Sequence, residues 1–113
     1  MSNSRIVTVV HPDSQARILL RSVLQARGLT VMTDHSCRDL LADRSESNPS
    51  LILIDRAALG EEGLDGVSLL RQKWANSELV FLPERLETES LSQLLLNVER
   101  LLMMRTNQDL LSV

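Results

Sequence analysis

Three short stretches hold the residues whose types and spacing matter for chemistry: His11-Pro12-Asp13, Asp55-Arg56 and Leu82-Pro83. Each directly follows a run of aliphatic residues, "IVTVV", "LILI" and "LVF". A carboxylate in such a place can ligate a metal, pair with a neighbouring imidazole, or simply cap the chain that follows. An imidazole brought opposite it supplies a hydrogen-bond donor or a charge near neutral pH. Leu82-Pro83 brings neither donor nor charge. Glu61, Glu62 and Asp65 form a second acidic set. Their spacing lacks the alternating oxygen ligands of a calcium loop and reads as a solvated acidic turn.

The elements that must position these residues are legible as four strand-then-helix repeats. Strands are expected over Arg5 to Val10, Leu29 to Thr33, Leu51 to Asp55 and "ELVFLP" from Glu78. The third has no polar alternation, as a central parallel strand covered on both faces requires. Asp13 is placed to cap a first helix carrying Ala16, Leu19, Leu20, Val23 and Leu24, with Gly28 at its left-handed end. "SCRD" has capping-box spacing and opens a short second helix. A glycine-rich loop then leads to a third helix, "GVSLLRQKWA", and a long last helix runs from about Thr88 to Met104. Short βαβ connections imply a parallel sheet with helices on both faces. Ligands of such sheets collect at the carboxyl ends of the strands. There His11, Pro12, Asp13, Asp55, Arg56, Leu82 and Pro83 would line one crevice. A contact between His11 and Asp55 is expected.

The stretches "VTVVHPDSQAR", "PSLILIDRAALGEEGLDGVSLLRQ" and "LVFLPERLETESLSQLLLNVERLL" resemble the receiver domain of two-component response regulators. The resemblance spans roughly Arg5 to Met104 and is strongest from Pro49 through Leu70. It implies an α/β fold, a flavodoxin-like doubly wound parallel sheet, here with four strands ordered 2-1-3-4. It places Asp55 at the phospho-acceptor position and Asp65-Gly66 at the family's Asp-Gly pair.

Departures from the family pattern are as informative. The family's magnesium-binding acid pair falls on His11 and Pro12, which offer an imidazole and a proline ring in place of hard oxygen ligands. Asp13 and Asp55 are the remaining weak metal candidates. The interval from Asp55 to Gly66 is longer than the family's loop. The family has five strand-helix units, with a hydroxyl residue after the fourth strand and lysine-proline after the fifth. Leu82-Pro83 stands in the place of lysine-proline, as though one unit were missing from the middle. Phosphoryl transfer depends on cations against the developing charge, and these positions do not supply them.

Two readings of the whole follow. One is a phosphorylation-independent pseudo-receiver, not an enzyme and without a cofactor, acting through protein contacts in bacterial signalling. The alternative is a working receiver phosphorylated on Asp55 with Mg2+. The chain of 113 residues fits one domain, with a core over about 5–104 and a tail over 105–113. Trp74 and Phe81 are the only aromatics and the net charge is −3, so direct nucleic-acid binding is not expected. The single cysteine, Cys37, excludes an internal disulfide and a thiolate zinc site. With no apolar stretch of membrane-spanning length, a cytoplasmic location is expected. Cys37, Met103 and Met104 read as packing residues. Leu91, Leu94, Leu95, Val98 and Leu102 share one face of the last helix; Leu96, Leu101, Met103 and Met104 lie outside it and, with Phe81 on an edge strand, are the candidate surface of a homodimer.

Overall fold

A computed structural model of the chain describes residues 6–43 and 48–111, with side chains described through Met104. The expected first strand residue Arg5, the polar stretch 44–47 and residues 112–113 lie outside the described residues. The chain divides into two compact units, with the boundary between Leu82 and Pro83.

The first unit is a four-stranded parallel sheet in the order β2-β1-β3-β4. Its strands are β1 (Ile6–Val10), β2 (Thr30–Asp34), β3 (Leu51–Ile54) and β4 (Glu78–Phe81). β1 and β3 are central and β4 closes one edge, as the sequence pattern requires. All four residues of β3 are at most 1 % exposed. Each contributes about 1.5–3 kcal/mol by leaving water. Alternate residues serve opposite faces. Val10, Ile52 and Ile54 form one core with Cys37, Leu40, Leu70 and Trp74. Val7, Val9, Leu51 and Leu53 point to the other face, and all are fully buried.

Right-handed crossovers decide which helix covers which face. Helix α1 (Ser14–Gln25) leads outward from β1 to β2, whereas α2 (Cys37–Ala42) and α3 (Leu64–Lys73) lead the opposite way and pack together. Asp13 caps α1, and Gly28 ends the following turn at φ +81°. The buried stripe of α1 is narrower than expected: Ala16, Leu20 and Leu24 are buried, while Leu19 is 38 % exposed. Ser36 caps α2 by accepting the Asp39 N–H at 3.1 Å. The other end of α2 is satisfied by Lys73, whose ammonium donates to the carbonyls of Leu41 at 2.8 Å and Asp43 at 2.6 Å.

Several boundaries differ from the expectation, β3 ending at Ile54 and β4 at Phe81 among them. β2 is shifted one residue onward, because the Asp34 carbonyl extends the ladder by accepting the His11 N–H at 3.0 Å. The glycine-rich loop is in fact a 3-10 segment over Arg56–Glu62, kinked at Gly60 with φ +67°, and α3 follows directly from Gly63 at φ +54°. Those two left-handed positions require glycine and allow so long an interval to fold into tight turns. In the second unit, helix α4 runs Thr88–Leu111. It therefore continues through most of the stretch read as a tail. Ser90 fixes its start, accepting the Glu87 N–H at 2.9 Å and donating to the Arg85 carbonyl at 2.6 Å.

On α4, Leu96, Met103 and Met104 are 56 %, 62 % and 51 % exposed, so the methionines are surface residues, contrary to the packing role expected of them. Leu101 is half-buried and differs from the other three. No helix among the described residues is long and apolar enough to cross a membrane.

Candidate functional site at the carboxyl ends of the strands

The parallel register places the ends of β1 and β3 side by side, with Val10 opposite Ile54. The Asp55 N–H donates to the Val10 carbonyl at 2.9 Å, so the residues that leave these strands, His11 and Asp55, emerge as neighbours. His11 Nε2 lies 3.7 Å from Asp55 Oδ1, with the two side chains 15 % and 17 % exposed. The expected pairing is present, as a close electrostatic contact longer than a direct hydrogen bond.

The rest of the His11 environment orients its ring. The Asp13 N–H donates to His11 Nδ1 at 3.0 Å. With Nδ1 accepting that bond, Nε2 is the nitrogen that faces Asp55. Arg17 Nη1 donates to the His11 carbonyl at 2.7 Å, which anchors the same residue from α1. Arg17 had no assigned role from the sequence; its spacing of six residues from His11, across a capped helix start, is the signal that would have found it.

Asp55 is engaged on both oxygens. Oδ2 accepts the Ala57 N–H at 3.0 Å and caps the 3-10 segment. Arg56, the nearest cation in sequence, turns away, its guanidinium 5.3 Å over the Phe81 ring. Phe81 is thus partly covered and also packs against the core, which weakens its place among the interface candidates. Leu82 is buried beside β3, its N–H donating to the Ile54 carbonyl at 2.8 Å. Pro83 begins the second unit. No described peptide bond is cis, the Leu82-Pro83 bond included.

The residues do not fit the magnesium site that the receiver resemblance implies. Pro12 and Asp13 are exposed, and Asp13 Oδ1 is turned to the Gln15 N–H at 3.4 Å as a helix cap. Asp55 belongs to no convergent set of three ligands among the described residues. The family's acid pair is replaced by an imidazole and a proline ring, and the remaining carboxylate, Asp55, already uses one oxygen as a cap. Glu62, from the acidic turn, faces Arg38 at 4.0 Å.

A cluster that sequence reasoning missed lies one strand away. At the end of β2, Asp34, His35 and Asp39 bring three potential ligand atoms within 4.8 Å of one another. His35 Nε2 is 2.8 Å from Asp39 Oδ2. The signal was an aspartate-histidine pair ending a strand, with a second aspartate one helical turn beyond the histidine. Burial, followed by the carboxylates of Asp39 and Asp43, pushes the Asp34 carboxyl above its ordinary range. Burial, followed by Glu62, likewise raises the Cys37 thiol.

No protein-family model and no curated protein matches the sequence. Solved structures match the fold. The beryllofluoride-activated NtrC receiver domain aligns with TM-score 0.63 and 24 % identity over 81 % of this chain and 74 % of its own. The MaeR response regulator bound to beryllium trifluoride aligns with TM-score 0.55 and 22 % identity, over 80 % and 75 %. The receiver domain of a modulated diguanylate cyclase from Desulfovibrio desulfuricans G20, described as an example of alternate folding, aligns with TM-score 0.60 and 16 % identity, over 96 % and 98 %. The chain has the receiver fold: a flavodoxin-like parallel sheet ordered 2-1-3-4.

Proposed function

We propose that the chain is a pseudo-receiver, a phosphorylation-independent module that acts by protein contacts in bacterial signal transduction, without an enzymatic activity of its own. One observation carries this reading: Asp55 already spends one oxygen on the Ala57 N–H and faces His11 with the other. The groups that would draw a phosphoryl onto it are absent from the neighbouring positions. His11 accepts the Asp13 N–H at Nδ1, Arg17 donates to the His11 carbonyl, Arg56 lies over the Phe81 ring, and Leu82 is apolar and buried. Phosphoryl transfer relies on cations and positioning more than on any other effect.

The reduced sheet supports the same view. The alignments leave about a quarter of the two beryllofluoride-bound neighbours unmatched, whereas the diguanylate cyclase receiver domain is matched over 98 % of its length. β4 pairs directly with β3 and ends the sheet, where a flavodoxin-like order continues to a fifth strand. Loss of one strand-helix unit accounts for both facts and removes the family's hydroxyl and lysine together. A homodimer in the cytoplasm, through the exposed apolar residues of α4 or the free edge of β4, completes the reading.

Incubation with Mg2+ and a small acyl-phosphate donor, followed by intact-mass measurement, tests it. The protein should gain no phosphoryl group. A mass gain that disappears in Asp55→Asn would instead establish a working Mg2+-dependent receiver.

A further inference from the structure

The Asp34, His35 and Asp39 cluster lies outside the His11 and Asp55 pair, and nothing in the proposed function uses it. We propose that these three residues form a binding site for a divalent transition-metal ion of the zinc class. The donor set is one imidazole nitrogen and two carboxylate oxygens, all within 4.8 Å of one another. Zinc takes nitrogen and carboxylate oxygen at about 2.0–2.2 Å in a four-coordinate shell, so modest side-chain rotation closes the triad around an ion. Magnesium and calcium take six or more oxygens, and an imidazole suits neither.

The backbone prepositions all three ligands. Asp34 is the last residue of β2, and its carbonyl is tied to the neighbouring strand by the His11 N–H at 3.0 Å. His35 follows directly. Asp39 is held by its own N–H donating to Ser36 Oγ at 3.1 Å, which turns its carboxylate back toward His35 at 2.8 Å. Access is open, since the His35 and Asp39 side chains are 61 % and 45 % exposed. Three protein ligands leave a fourth position for water or for a side chain of a partner.

Electrostatics point the same way. Asp34 and Asp39 set two carboxylates beside the His35 imidazole at this end of the sheet, an arrangement whose negative charge a bound dication would offset. This inference does not depend on whether Asp55 accepts a phosphoryl group.

The test is a calorimetric titration of the full chain with Zn2+, paired with the absorption spectrum of added Co2+. One ion per chain is expected. Affinity should fall by roughly tenfold or more in His35→Ala and in Asp39→Asn, both with unchanged circular dichroism. His11→Ala should bind as tightly as the parent chain. Absence of saturable binding, or binding that survives His35→Ala and is lost in His11→Ala, would overturn the proposal.

Discussion

Asp55 leaves the end of β3 with one carboxylate oxygen bonded as a cap. Its position is dictated by β3, but its bonds are those of a cap: the Ala57 N–H at 3.0 Å on one oxygen and His11 at 3.7 Å from the other. Asparagine retains the capping oxygen and alanine does not. Asp55→Ala should therefore lower unfolding free energy by about 1 kcal/mol, and Asp55→Asn by distinctly less, in denaturant titrations. Equal losses in both variants would show that charge, and not the cap, is what the fold uses. Asp34 poses the complementary case. Burial, then the Asp39 and Asp43 carboxylates, raise its carboxyl, so between the ordinary and the raised value the folded chain holds a proton that the unfolded chain has released. Stability attributable to it is complete below the ordinary aspartate range and declines as pH rises through the elevated value. Asp34→Asn should thus be slightly more stable than the parent at neutral pH without added metal, read as a higher denaturation midpoint. The two stability curves should converge in acid.

At the scale of elements, the contact between α2 and α3 depends on one glycine. Gly66 is buried in α3, and a β-carbon there would stand 3.1 Å from the Cys37 sulfur and 3.6 Å from Leu59. Cys37 is completely buried, so its sulfur has little room to retreat. Gly66→Ala gains up to about 1 kcal/mol of helix propensity yet overpacks the core at a cost of about 1–3 kcal/mol. The net outcome should be a loss, read as a lower denaturation midpoint. Adding Cys37→Ala should recover part of that loss, giving a favourable coupling in the double-mutant cycle. The Asp-Gly pair noticed in the sequence thus has a packing reason on its glycine side.

Much of the element order was legible because its signals are local. The unbroken run Leu51 to Ile54 marks a strand covered on both faces, and Asp13, Gly28 and Ser36 announce helix ends through their own side chains or backbone freedom. His11 and Asp55 could be paired because parallel strands deliver their last residues to one edge. The 3-10 segment was hidden, since a three-residue period over "RAALGEE" leaves no hydrophobic stripe to read. The Asp34 cluster escaped because its ligands belong to two elements. Their convergence depends on the cap geometry at Ser36, which spacing alone does not reveal.

For the molecule as a whole, two surfaces offer themselves for contact with another chain. A sheet that ends at β4 leaves a strand edge with one side unpaired among the described strands. Such an edge favours pairing with another chain unless something covers it. Separately, α4 carries Leu96, Met103 and Met104, each more than half exposed. Burying the half of each such side chain that is exposed contributes on the order of 1 kcal/mol, which favours association of this face with an apolar partner surface. Light scattering should therefore report a mass that rises with concentration from the 12.7 kDa monomer toward twice that value. Leu96→Lys with Met103→Lys should return the monomer while circular dichroism is unchanged. A dimer that withstands both substitutions would assign the contact to the β4 edge. A monomer at every concentration would remove self-association and leave contact with a different protein as the role of these surfaces.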